Sequence, residues 1–219
     1  MVTRLAIFDC DGTLVDSAVA ICEAMEGCFA GQGLVPPDRA ATRQVVGLSL
    51  YEAMQSLHPA GAEAQHRAMA EDYKLAFQRL RGAGRVAEPL FDGVADMLRD
   101  LDAAGWLLGV ATGKSDRGLR LCLEAHGLRR HFVTLQTADR HPSKPHPAML
   151  AAAMAEAGVD PADTVMIGDT RFDIGAAKAA GVTAIGVAWG YHAIAELRAE
   201  GADHVVAHAA ELPPLLESL

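Results

Sequence analysis

The sequence predicts an α/β protein: a parallel sheet covered by helices on both faces, with a small all-helical segment inserted after the first strand. Three observations predict it. Short apolar runs alternate with helical patterns through most of the chain, the signature of strand–helix–strand units. Residues from about Ser17 to Arg81 break that alternation and hold no convincing strand. Polar residues suited to chemistry recur where apolar runs end, and an open parallel sheet presents ligands at those ends.

Leu5-Ala6-Ile7-Phe8, followed by Asp9-Cys10-Asp11-Gly12, reads as a buried strand ending in a glycine turn. Similar runs follow at Leu107–Ala111, Phe132–Leu135, Val165–Ile167, Ala184–Val187 and His204–Val206. Helical patterns separate the later ones: Ser115–His126, Pro147–Ala157, Phe172–Ala180 and Ala193–Ala199. The inserted stretch reads as several helices broken near Gly31-Gln32-Gly33, Pro36-Pro37, Gly47 and His58–Gly61. Gly82-Ala83-Gly84 is a plausible return hinge. The expected division is a core of residues 1–16 and 85–219 and a helical segment of 17–84.

The chain has 219 residues and is 51% hydrophobic, enough for a packed core. A net charge of −9 without a Lys/Arg cluster argues against nucleic acid and anionic membranes as partners. It leaves small anions open, because one metal ion and one lysine reverse the sign locally. Cys10, Cys22, Cys28 and Cys122 form no C-x-x-C pair, so neither a zinc site nor a disulfide framework is expected. No apolar run approaches the roughly 20 residues needed to span a bilayer, and Asp9 and Asp11 interrupt the only early apolar stretch. A cytoplasmic protein, monomeric or homodimeric, is expected.

Four motifs carry the chemistry. In Asp9-Cys10-Asp11-Gly12-Thr13-Leu14-Val15-Asp16-Ser17, strand alternation puts Asp9 and Asp11 on one side and Cys10 in the core. Two carboxylates sharing a site push their pKa values apart. One then serves as nucleophile or metal ligand and the other as general acid. Val110-Ala111-Thr112-Gly113-Lys114-Ser115 ends a strand before a helix, so Thr112 and the backbone at Gly113 could hold an oxyanion. Gly113-Lys114-Ser115 is no Walker loop, because Leu108 stands where the first glycine is required. Ser143-Lys144-Pro145-His146-Pro147 offers one positive charge, at Lys144, to a phosphoryl oxygen or to crowded carboxylates. In Val165-Met166-Ile167-Gly168-Asp169-Thr170-Arg171-Phe172-Asp173 the carboxylates of Asp169 and Asp173 suit Mg²⁺. Each motif alone could be ordinary helix capping or a solvated charge. Together they can converge on one crevice.

This set resembles the haloacid-dehalogenase-like superfamily of phosphohydrolases, over essentially the whole chain. Asp16-Ser17, Gly47-Leu48-Ser49-Leu50 and Phe91-Asp92-Gly93-Val94 point to the phosphoglycolate-phosphatase-like branch. The resemblance implies a Rossmann-like core and a helical cap. It implies a Mg²⁺-dependent phosphatase that hydrolyses a small phosphate monoester, phosphoglycolate-like, through an aspartyl-phosphate. Asp9 would be the nucleophile and Asp11 the acid and base. Thr112 and Lys144 would hold the phosphoryl group. Asp9, the Asp11 backbone carbonyl and Asp169 would bind Mg²⁺, with Asp173 in support.

The inserted helices would then select the leaving group. Arg43 is the expected contact for a substrate carboxylate. His58 and His66 are expected at the surface or as caps, and His204 and His208 suggest no metal site. The alternatives are a phosphomutase or pyrophosphatase of the same superfamily, or a non-catalytic protein that binds a phosphate ligand. The histidine of the sugar phosphomutase branch is missing from Ala18-Val19-Ala20-Ile21, and the dehalogenases do not need Asp11.

Overall fold

The computed structural model describes residues 3–219. Six strands form one parallel sheet: β1 (Leu5–Phe8), β2 (Leu107–Thr112), β3 (Phe132–Thr137), β4 (Thr164–Gly168), β5 (Thr183–Val187) and β6 (His204–Val206). Their order is β3-β2-β1-β4-β5-β6, so the direction of winding reverses between β1 and β4. An open α/β sheet forms its ligand crevice at such a reversal, beyond the carboxyl ends of the strands.

β1 is buried throughout, and its side chains serve both faces. Ala6 and Phe8 join one core cluster, with Val94, Leu98 and Leu101 of α5 (Val94–Ala103) and Leu119 and Leu123 of α6 (Asp116–Ala125). Leu5 and Ile7 join the other, with Met149 and Leu150 of α7 (Ala148–Ala157) and Ile174 and Ala177 of α8 (Arg171–Ala180). Leu197 of α9 (Ile194–Ala199) completes that second face. The sequence-derived strands and helices match these elements to within about two residues. A helix not expected from the sequence, α10 (Leu212–Ser218), adds Leu212 and Leu216 to the first face. Pro213-Pro214 obscures it in the sequence. Both prolines lie in its first turn, where the missing N–H groups would have had no helical partner.

Between β1 and α5 the chain builds α1 (Ala18–Gly31), α2 (Arg39–Gln44), α3 (Leu50–Leu57) and α4 (Glu63–Gly82). Among these, α1, α3 and α4 share an apolar cluster, with Met25, Cys28 and Phe29 from α1, Met54 from α3, and Met69 and Tyr73 from α4. Asp38 caps α2 by accepting from the Ala41 N–H at 2.6 Å. The departing and returning segments are tied together. The Asp16 N–H donates to the Pro89 carbonyl at 2.8 Å, the Phe91 N–H donates to the Leu14 carbonyl at 3.1 Å, and Val15 and Leu90 form an antiparallel bridge. Of the two places expected for His66, the surface and a cap, it takes the second: it is buried, and its Nε2 bonds the carbonyl of His58, the C-cap residue of α3, at 2.8 Å. No helix is long and apolar enough to cross a membrane among the described residues.

Candidate active site: a buried carboxylate cluster under an apolar cavity

Asp9 follows β1, Thr112 ends β2 and Asp169 follows β4, so the sheet order gathers them at the winding reversal. Oxygens of Asp9, Asp169 and Asp173 lie within 4.8 Å of one another, and all three residues are fully buried. A strand end leads one to expect a solvent-facing Asp9; here the residue is fully enclosed. The Asp9 N–H extends the sheet by donating to the Ile167 carbonyl at 2.9 Å, which sinks the residue between β1 and β4.

Lys144 is the counter-charge, and it too is fully buried. Its Nζ lies 2.6 Å from Asp173 Oδ1 and 3.1 Å from Asp9 Oδ1, and donates to the Ala111 carbonyl at 3.1 Å. Burial alone would depress its pKa, but the carboxylates of Asp173 and Asp9 more than reverse this. Asp173 belongs to a capping box at the start of α8. Its Oδ2 accepts from the Thr170 hydroxyl at 2.7 Å and the Thr170 N–H at 3.0 Å. The capping and catalytic readings of this motif therefore describe the same atoms. The box leaves Oδ1 to Lys144.

Burial pushes Asp9 up to about 7, with Lys144 opposing and the carboxylates of Asp173 and Asp11 adding to the rise. Burial also raises Asp169, with Asp173 and Asp9 as further causes. A cation between these groups would return both to the ionised form. The donor set fits a hard divalent cation: three carboxylates on neighbouring elements, with Asp9 Oδ2 buried and without a hydrogen-bond partner among the described residues. Such oxygen donors suit Mg²⁺. Asp169 is fixed by the Thr13 hydroxyl at 2.9 Å on Oδ1 and by the Tyr191 N–H at 2.8 Å on Oδ2.

Asp11 stands apart from this cluster. The Ser17 hydroxyl and Lys114 Nζ, the latter at 2.6 Å, both donate to its Oδ1. Lys114 also lies 2.9 Å from Glu88 Oε1, and Glu88 Oε2 accepts from Arg81 at 2.7 Å. This chain of charges joins the end of α4, the return segment and the loop after β2. Burial alone would lower the Lys114 pKa; Asp11, with Cys10 and Glu88, raises it instead. The sequence reading dismissed Lys114 with the rejected Walker motif and had no signal for Glu88. It also missed the loop after β5, where Gly190 packs against Asp169. The one available signal was position, since Trp189-Gly190-Tyr191 follows directly where a strand exits.

Asp9, Asp11, Thr112, Gly113 and Lys114 line one end of a cavity of about 500 Å³ between the inserted helices and the sheet. Arg43 does not line it: this residue is exposed on α2, and the cavity arginines are Arg81 and Arg117. Thr42 of the six-residue α2, with Val45 and Val46 of the turn after it, lines the cavity instead. The backbone at Gly47 and Leu48 presses on the core. A Cβ on Gly113 would fall 2.4 Å from the Leu48 carbonyl oxygen. The Ser49 N–H donates to the Ser143 hydroxyl at 2.8 Å, and His192 bridges the Gln44 carbonyl and the Arg171 N–H.

Comparison with known proteins agrees with this geometry. The family model described as haloacid dehalogenase-like hydrolase matches residues 6–187. A probable phosphatase, IndB, of Dickeya dadantii is 38% identical over 198 residues, covering 89% of this chain and 85% of its own. A phosphoglycolate phosphatase of Xylella fastidiosa is 33% identical over 189 residues, covering 86% and 81%. The crystal structure of a predicted phosphatase from Clostridium acetobutylicum superposes with a TM-score of 0.88 over 100% of both chains at 26% identity. With the fold, the acidic crevice and the family model in agreement, the chain belongs to the haloacid dehalogenase-like hydrolase family.

Proposed function

We propose that the protein is a Mg²⁺-dependent phosphatase that hydrolyses a phosphate monoester through an aspartyl-phosphate on Asp9. The observation that carries this reading is the Asp9 carboxylate. Its Oδ1 accepts from the Cys10 N–H at 2.7 Å and lies 3.1 Å from Lys144, while Oδ2 is buried and has no hydrogen-bond partner among the described residues. A free carboxylate oxygen at a strand exit can attack phosphorus. The bond from phosphorus to the leaving oxygen then breaks, and that oxygen takes a proton from Asp11. Asp11, now ionised, removes a proton from the water that attacks the phospho-aspartate, releasing phosphate and restoring Asp9. Both hydrogen bonds to Asp11 fall on Oδ1, which leaves Oδ2 to carry the proton.

A phosphate dianion facing Asp9 is repelled. Two unit charges about 4 Å apart cost roughly 4 kcal/mol at an effective dielectric of 20. When bound, Mg²⁺ would supply charge neutralisation; Asp9, the Asp11 backbone carbonyl and Asp169 would hold it, with Asp173 in support. Lys144 keeps Asp9 and Asp173 together. Thr112 and the Gly113 backbone line the place where the phosphoryl oxygens would sit. The four inserted helices act as a cap that shields the phospho-aspartate from bulk water. The names of the relatives make phosphoglycolate the first substrate to test.

The deciding experiment is phosphate release from phosphoglycolate, sugar phosphates, nucleotides and pyrophosphate with Mg²⁺, beside Asp9→Asn. Release that falls about a thousandfold or more in the variant supports the nucleophile. Residual activity within about tenfold of wild type overturns it, and isomerisation of a sugar phosphate without release would make the protein a mutase.

A further inference from the structure

The cavity differs from what a two-carbon acid requires. Phosphoglycolate has about nine non-hydrogen atoms; at the roughly 30 Å³ of a liquid water each, they would fill only about half of the 500 Å³. That volume lies within the range that holds drug-sized ligands. The lining beyond the carboxylates is mostly apolar: Ile21, Met25, Val46, Leu48, Tyr73 and Phe77. Nor is the chamber an effect of a distant cap, because the Leu48 carbonyl is already packed against Gly113.

Most of the cavity's positive charge is already engaged. Arg81 pairs with Glu88 at 2.7 Å, Lys74 with Glu71 at 2.8 Å and Lys114 with Asp11 at 2.6 Å, which leaves the exposed Arg117 for a substrate carboxylate. Aromatic recognition is well served. Tyr73 and Phe77 are one turn apart on α4, with ring centroids 6.0 Å apart and planes 35° from parallel. Their wall is tied to the proton donor. Lys114 Nζ lies 5.8 Å from the Phe77 centroid and 2.6 Å from Asp11 Oδ1. A leaving group whose oxygen meets Asp11 therefore extends along the Phe77 side of the chamber.

We infer that the leaving group carries an aromatic ring, which packs against Phe77 and Tyr73 while its ester oxygen meets Asp11. This rests on the phosphatase reading above and names its substrate class. A ring in this chamber gains apolar burial and offset or edge contacts with the two aromatic side chains.

Benzyl phosphate is the probe, because its leaving alcohol resembles an aliphatic one in acidity and does not confer reactivity by itself. Phosphate release with Mg²⁺ is measured for benzyl phosphate, cyclohexylmethyl phosphate, phosphoglycolate, ribose 5-phosphate and acetyl phosphate. Benzyl phosphate is expected to exceed phosphoglycolate and ribose 5-phosphate by about tenfold or more in kcat/KM, and to exceed cyclohexylmethyl phosphate. Phe77→Ala is expected to lower the ratio of benzyl to acetyl phosphate turnover by about tenfold. If that variant does not fold, calorimetric binding of benzylphosphonate against methylphosphonate to wild type reads the same preference. Turnover of acetyl phosphate together with a preference for phosphoglycolate or ribose 5-phosphate overturns the aromatic assignment alone. Equal use of the benzyl and cyclohexylmethyl esters overturns it likewise. No turnover of any of these compounds, the acyl phosphate included, removes the phosphatase reading and the inference with it.

Discussion

Lys144 Nζ lies 2.6 Å from Asp173 Oδ1, and neither side chain is exposed to solvent. One lysine, fixed just before α7, thereby holds the first residue past β1 to the first turn of α8, because Asp9 Oδ1 is 3.1 Å from the same nitrogen. The crevice is electrostatically frustrated around this point. Three buried carboxylates meet one ammonium, which leaves a deficit of positive charge that a divalent cation would fill.

Lys144→Met should be costly for this reason. Removing one partner of a buried ion pair leaves uncompensated charge, at about 3–5 kcal/mol. Urea denaturation of the metal-free protein is expected to show a loss of that size, and saturating Mg²⁺ should shrink it. A loss below about 1 kcal/mol would mean that the carboxylates do not depend on this lysine.

Divalent cation removal should silence the enzyme. Chelation is expected to lower phosphate release at least about a hundredfold, with recovery on Mg²⁺ and not on Ca²⁺, which takes more ligands at longer distance. Full activity in excess chelator would show that the acidic cluster serves no metal.

Gly190→Ala should damage the same cluster from its far side. A Cβ there would stand 2.1 Å from Asp169 Cβ, closer than any real contact. The backbone or Asp169 must move, at roughly 1–3 kcal/mol for overpacking. Thermal unfolding and Mg²⁺ titration are the readouts. A variant with wild-type stability and wild-type metal affinity would contradict the packing described.

His192 should make stability sensitive to acid. The neutral ring fits its place, with Nε2 donating to the Gln44 carbonyl and Nδ1 accepting from the Arg171 N–H. Burial is the main cause holding its pKa below the usual histidine value of 6.5. The unfolded chain thus binds the proton first, so this contribution is complete above about 6.5 and is lost as pH falls from there through the lower folded value. Denaturation at pH 7.5 and 5.5 is expected to show a smaller acid-dependent loss for His192→Phe than for wild type. Equal losses would assign the acid sensitivity to other groups.

Much of the site was readable before any coordinates. Asp9, Asp11, Thr112 and Asp169 each sit where an apolar run ends, and a parallel sheet gathers those ends; Lys144 enters from the loop between β3 and α7. The reading of Asp173 was open between a helix cap and support of a metal ion; its Oδ2 serves the cap of α8, while its Oδ1 meets Lys144. Cys10 was placed in the core by alternation, and it is there. The sequence failed at Arg43, Lys114, Glu88 and Gly190. Their roles depend on distance rather than spacing: Lys114 reaches Asp11 across 103 positions, and Tyr191, beside Gly190, reaches Asp169 across 22.

What the sequence determined by itself was the class of fold and the chemistry gathered at its strand exits. Those follow from local periodicity and from the fixed geometry of parallel strands, which act over a few residues at a time. Only the tertiary structure decided which charges pair, which arginine meets the cavity, and that the chamber above Asp9 is large and walled by Tyr73 and Phe77. Those depend on how the inserted helices pack across the crevice. Such packing is set by contacts between residues far apart in the chain, and no local pattern encodes it.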